Sequence, residues 1–203
     1  MRHKHSNPRR NGFSMLELVI VVAIMLAVSA AALPSFFNSI ETYRMRTAAM
    51  DVEGLMQRAR SLAIRDNKYY AVRSVVANQG GINYTQVFVD LNNNGVQNNG
   101  ERLIQLPVNM SLPNGGNPAM PNGTLGFAPQ GAAVPVMFNN RGLPCVMKAG
   151  ICSNWDAGNT PVGFVVFLQD AKTSGNGWAA ISVSPVGRAK VWSWNSASST
   201  WKY

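Results

Sequence analysis

Asp90, Asn92, Asn94, Asn98 and Glu101 set side-chain oxygens at places one, three, five, nine and twelve of a twelve-residue segment, with Gly95 sixth and the Val96 carbonyl seventh. Calcium takes roughly six to eight oxygens, and a glycine in that place permits the sharp turn of a calcium loop. Only Asp90 and Glu101 of this set are charged, and Asn and Gly also build long hairpin loops closed by Asx-type hydrogen bonds. Two readings follow, a weak calcium site or a self-bonded polar loop; no other cofactor is implied. A second constellation lies near the C-terminus. Gly187-Arg188-Ala189-Lys190 precedes Trp192 and Trp194, and strand alternation puts Arg188, Lys190 and both tryptophans on one face. Cations hold phosphates and aromatic rings stack single-stranded bases. The same residues also suit an edge strand guarded by charge, with its tryptophans packed inward. Arg141-Gly142 is a fainter version of the same turn.

Glu17 is the third feature. It stands just before Leu18 to Leu33, a run without any charge. A carboxylate in hydrocarbon costs at least about 2.5–3.5 kcal/mol on insertion scales and so marks function. Phe13 to Leu33 matches a membrane span in length rather than a short signal core. Arg2, Lys4, Arg9 and Arg10 precede it; such a leader stays cytoplasmic and sends the rest outward. These four belong to the 18 Lys and Arg of the 203-residue chain, so the residues beyond 12 keep 14 against nine acids, a net of +5. That balance permits a polyanionic partner without requiring one.

In an exported chain Cys145 and Cys152 suggest one disulfide, worth about 2–3 kcal/mol in the chain-entropy model and stapling a surface loop; two buried thiols are the alternative. They make a poor zinc site, which wants about four ligands, because the only histidines, His3 and His5, lie in the leader. There is no nucleophile–base pair and no phosphate-cradling glycine motif, Gly175-x-Gly177 being too short, so catalysis is not expected.

The elements that position these groups follow from periodicity. From Ser35 to about Asp66 the apolar residues Ile40, Tyr43, Ala48, Val52, Leu55, Ala59 and Leu62 trace a helical stripe, with Arg44, Arg46, Arg58, Arg60 and Arg65 mostly off it. The first half of this long helix is apolar all round and needs lipid or copies of itself. Beyond it, strands are predicted at Tyr69–Val76, Tyr84–Val89, Arg102–Gln105, Thr124–Phe127, Val136–Phe138, Gly163–Leu168, Ala179–Ser184 and Ala189–Trp194, with loops at 90–100, 113–123, 139–161 and 170–177. The predicted fold is α+β: a long N-terminal helix, transmembrane in its first half, packed on a mostly antiparallel β-rich domain.

Gly12 followed by Phe13-Ser14-Met15-Leu16-Glu17 resembles the type IV prepilin processing site. Gln57-Arg58-Ala59-Arg60-Ser61-Leu62-Ala63, Val87-Phe88-Val89-Asp90 with its loop to Glu101, Phe138-Asn139-Asn140-Arg141-Gly142 and Ser184-Pro185-Val186-Gly187-Arg188 resemble the GspH/FimT branch of the pilin superfamily. The resemblance implies cleavage by a prepilin peptidase after Gly12 and methylation of Phe13. It implies that Glu17 meets the amine of a neighbouring Phe13 during assembly, and that Pro34 is the helix-kinking proline of pilins. It gives the organisation 1–12 leader, 13–34 transmembrane and assembly segment, 35–66 amphipathic helix, 67–203 periplasmic domain. The implied partners are other pilins or pseudopilins, the peptidase and inner-membrane lipid. The implied role is that of a minor subunit of a type IV pilus or of a type II secretion pseudopilus. Gly187-Arg188-Ala189-Lys190 is similar to the Gly-Arg-x-Arg element of DNA-binding members, with Lys for the last Arg, which adds DNA as a possible partner.

Overall fold

The computed structural model describes residues 13–172 and 177–203, without the side chains of 32–35, 37, 38 and 122. The chain divides into two units, Met1–Ile40 and Glu41–Tyr203, and helix α1 (Met15–Asp66) contributes to both.

In the first unit α1 begins at a Ser cap. Ser14 Oγ accepts the Leu16 N–H at 3.3 Å, satisfying a donor that the helix leaves free, and the Ser14 carbonyl accepts the first helical bond, from the Leu18 N–H at 3.1 Å. Glu17 lies in this first turn, where a carboxylate complements the helix dipole. Met15, Leu16, Leu18 to Val22, Ile24 to Leu26 and Val28 are all exposed, on every side of the helix, so this stretch has no buried face. Among the described residues no helix is long and apolar enough to cross a membrane. Pro34 lies within α1, but its side chain, and Gly12 altogether, lie outside the described residues.

In the second unit α1 buries Met45, Ala48, Ala49, Val52, Leu55, Met56, Ala59 and Ala63 along one seam. Steps of three and four keep these on one side at 3.6 residues per turn, and the alanines let the sheets come close. The seam corrects the predicted stripe: Ile40 and Tyr43 are exposed, Tyr43 at 73%, because Met45 rather than Tyr43 is in phase with Ala48 and Val52. The helix stops at Asn67, which takes a left-handed φ of 52° while the Lys68 N–H reaches back to the Ala63 carbonyl at 3.1 Å, a Schellman closure.

The remainder forms β1 (Tyr70–Gln79), β2 (Ile82–Asp90), β3 (Leu103–Gln105), β4 (Met110–Ser111), the short helix α2 (Asn122–Leu125), β5 (Val136–Phe138), β6 (Pro144–Lys148), β7 (Ile151–Ser153), β8 (Phe164–Asp170), β9 (Trp178–Val183), β10 (Ala189–Asn195) and β11 (Thr200–Lys202). One sheet has the order β3-β2-β1-β5-β6-β7 and the other β11-β10-β9-β8-β4. All pairings are antiparallel, as the predicted α+β class requires. The α1 seam packs with Val72, Val87, Val89, Val136 and Phe138 of the first sheet and Phe164, Leu168, Ala179, Ile181 and Val183 of the second in one core. Among the described residues the earliest member of any buried cluster is Met45, so the second unit holds its own core.

Two predictions fail here. Thr124–Phe127 is not a strand: after Pro121, which has no N–H to give a sheet, the Thr124 and Leu125 N–H groups bond the Pro121 carbonyl and wind α2. The predicted loop 139–161 contains β6 and β7. They are joined by Ala149 (φ 49°) and Gly150 (φ 81°), a two-residue turn with both φ positive, which matches the twist of a hairpin. Ala is an unusual residue for that place, so the local signal is weak.

Candidate functional site

The β9–β10 turn carries Arg188. Its frame is closed by the Gly187 N–H on the Ser184 carbonyl (2.7 Å) and the Ser184 N–H on the Arg188 carbonyl (2.9 Å). Gly187 has φ +78°, which L side chains rarely adopt. Arg188 and Lys190 are exposed. Beside this turn lies the one after β5. There Asn139 Oδ1 accepts the Arg141 and Leu143 N–H groups at 2.9 and 3.1 Å, leaving Arg141 exposed. One side chain joins the two turns. Arg60 of α1 donates from Nε to the Gly142 carbonyl and from Nη1 to the Gly187 carbonyl, both at 2.9 Å. Sequence reading placed Arg60 merely off the apolar stripe. The only available signal was a cation next to the Ala59 seam together with two glycine turns whose carbonyls need donors.

Trp192 and Trp194 are on the Lys190 face of β10, as alternation requires, but that face is packed. Trp192 and Trp201 are buried with Val165, Phe167, Trp178 and Ala180, and Trp194 is partly buried against them. Trp192 Nε1 donates to Ser182 Oγ at 2.8 Å and Trp201 Nε1 to the Ala119 carbonyl at 3.2 Å. The proposed base-stacking role of Trp192 is therefore corrected: its ring is core. Lys190 Nζ lies 4.7 Å from the ring centroid of exposed Tyr203 and 5.8 Å from that of Trp192, within cation–π range.

The 90–101 loop closes on itself. Asp90, fully buried, accepts Arg73 Nε at 2.8 Å, the Asn94 N–H at 3.1 Å and the Gly95 N–H at 2.8 Å. Glu101 accepts the Leu91 and Asn98 N–H groups at 2.9 and 2.8 Å. The Asn92 and Asn94 oxygens accept the N–H two residues on, and the Asn98 amide donates to the Val96 carbonyl at 2.6 Å. A cation entering here would have to displace these donors. Among the described residues no group of three His, Cys, Asp or Glu is arranged to hold a metal.

Cys145 and Cys152 are joined, with Cα atoms 5.3 Å apart. The bond ties β6 to β7 across a hairpin whose residues 147–151 are exposed, with Cys145 itself fully buried against Ala71 and Met137. Two further carboxylates are tuned by hydrogen bonds. Arg65 holds Asp66 below the usual carboxylate range, and burial, with the Asp66 hydrogen bond second, raises Tyr70. The Thr160 hydroxyl and N–H hold Asp156 low. Asp66 ends α1, and Asp156 lies in the turn between β7 and β8.

The processing residues have a simple setting. Phe13 is exposed, and Glu17 follows it by four positions at the start of α1. Two family models match the chain. That of the prokaryotic N-terminal methylation motif covers residues 7–33, and that of type II transport protein GspH covers residues 48–187, well over half of the chain. No curated protein and no solved structure matches it. These families are structural subunits rather than enzymes. Their motif implies a membrane-anchored N-terminus, processing by prepilin peptidase and assembly with other pilins or pseudopilins. With this N-terminus and this helix-on-two-sheets domain, the chain belongs to the GspH family of type IV pilin-like minor pilins and pseudopilins.

Proposed function

We propose that this chain is a minor subunit of a pilus-type filament whose domain contacts DNA through the β9–β10 hairpin during DNA uptake. The observation that supports it is the state of Arg188. It is exposed on a hydrogen-bonded turn, and among the described residues its guanidinium has neither an ion pair nor a hydrogen bond. Lys190 stands two residues on, over Tyr203. A guanidinium forks onto phosphate oxygens, and Lys adds a point charge. Tyr203, not Trp192, is the ring left free to meet a base. The N-terminal segment anchors the unassembled subunit in the inner membrane, leader inside and domain in the periplasm; Gly12, Phe13, Glu17 and Pro34 serve processing and assembly.

A mobility-shift assay tests this reading. Wild-type protein retards DNA in a salt-sensitive way, and Arg188→Ala and Lys190→Ala weaken it. Absence of retardation at low salt rejects it. A second reading, a pseudopilin of type II secretion that binds no DNA, is favoured by the match to the type II transport protein GspH family.

A further inference from the structure

We propose that the Asn139–Gly142 and Ser184–Arg188 turns form one phosphodiester cradle, in which Arg141 contacts the nucleic-acid backbone alongside Arg188 and Arg60 is the positioning residue. This rests on the DNA reading above and extends it to a second turn and a helix. The two turns touch. A Cβ placed on Gly187 would lie 2.7 Å from the Gly142 carbonyl oxygen, and Gly142 itself has φ +72°. Arg141 precedes one of these abutting glycines and Arg188 follows the other, so the fold brings together two cations remote in sequence. Both are exposed, and among the described residues neither guanidinium has a hydrogen bond or an ion pair.

Arg60 explains why they stay together. Its planar fork spends two donors on the two turn carbonyls, each at 2.9 Å. This turns those oxygens toward the helix and places a third positive charge behind the pair. Lysine offers a single point of donation and cannot replace this geometry. The Asn140 amide, bonded to Asn67 Oδ1 at 2.9 Å, pins the first turn to the end of α1 as well. Like charges held at one spot repel until an anion sits among them. Two separately mounted forks suit successive phosphates along a strand better than one carboxylate. Phosphodiesters also occur in lipid headgroups. Ile64, against Gly142, and Val186 are large exposed hydrophobics beside the two turns, so the comparison with lipid vesicles below separates the two sources.

The test uses the full chain in detergent micelles and a fluorescein-labelled single-stranded oligonucleotide, read by anisotropy over a salt series. Arg141→Ala and Arg188→Ala each weaken binding about five- to tenfold at low salt and each lower the salt slope by about one. Arg60→Lys keeps the net charge, yet lowers both affinity and slope because the forks drift apart. Arg46→Ala, equal in charge and about four helical turns away, changes neither by more than about twofold. If Arg188→Ala lowers the slope and Arg141→Ala leaves it unchanged, the cradle is wrong while the DNA contact stands. If the wild type ignores the oligonucleotide, or binds only phosphatidylglycerol vesicles, both are wrong. Should Arg60→Lys not fold, the Arg141 and Arg188 slopes decide the question alone.

Discussion

Replacing Gly187 by Ala puts a methyl group into the join between the two turns. At φ +78° an L residue pays for the left-handed conformation, about 1–2 kcal/mol. The new Cβ would sit 2.7 Å from the Gly142 carbonyl oxygen and 3.0 Å from Arg60 Cζ and Nε, so backbone must move, an overpacking cost of roughly 1–3 kcal/mol. That movement also stretches the Arg60 bond to the Gly187 carbonyl, worth about 1–2 kcal/mol. The total is about 3–7 kcal/mol, or a Tm lowered by roughly 6–28 °C for a chain of this size. Gly80→Ala is the matched control. Its φ of +60° is equally left-handed, but nothing lies within 4 Å of the added carbon, so only the conformational term of about 1–2 kcal/mol applies. Urea unfolding of residues 41–203, which contain every buried cluster, measures both. A difference of less than about 1 kcal/mol between the two variants would refute the packing argument. In an Arg60→Ala background the Gly187→Ala cost should shrink, since the two share a contact.

Three other outcomes are expected. Cys145→Ser with Cys152→Ser lowers stability by about 2.5 kcal/mol by loop entropy for a sequence separation of seven, seen as a lower urea midpoint that reductant no longer shifts. Arg73→Ala strands the fully buried Asp90 carboxylate with backbone donors only and costs roughly 3–5 kcal/mol; the same substitution at exposed Arg46 costs under about 0.5 kcal/mol in the same assay. Asp66 and Asp156 have folded pKa values below their unfolded ones, so their contribution is complete above about pH 4 and is lost as pH falls through the depressed values. The urea midpoint should hold from pH 7 to 5 and decline below about 4, and Asp156→Asn should flatten part of that decline.

The elements with strong local patterns were legible before the fold. β5 and the helix end near Asp66 lie where alternation and spacing put them, because valine, phenylalanine and the helical seam carry their own periodicity. β6, β7 and β11 were not legible. They are short, and β6 and β7 are defined by cross-strand partners and a disulfide rather than by their own pattern. At the candidate site, sequence pointed to Arg188, Lys190 and, faintly, Arg141. It could not place Arg60, whose partners are two backbone carbonyls that no side-chain pattern records. Nor could it tell a stacking tryptophan from a core one, since alternation puts Trp192 and Trp194 on one face and only the fold buries Trp192.

The fork of Arg60 also bears on mechanics. It ties α1 to turns that follow β5 and β9, far along the chain from where the helix runs on into β1. Tension on the helix of a filament subunit would thus be shared between the covalent backbone and this lateral rivet. Cutting the rivet would shift more of that load onto β1 with its neighbours β2 and β5, and onto the packed α1 seam.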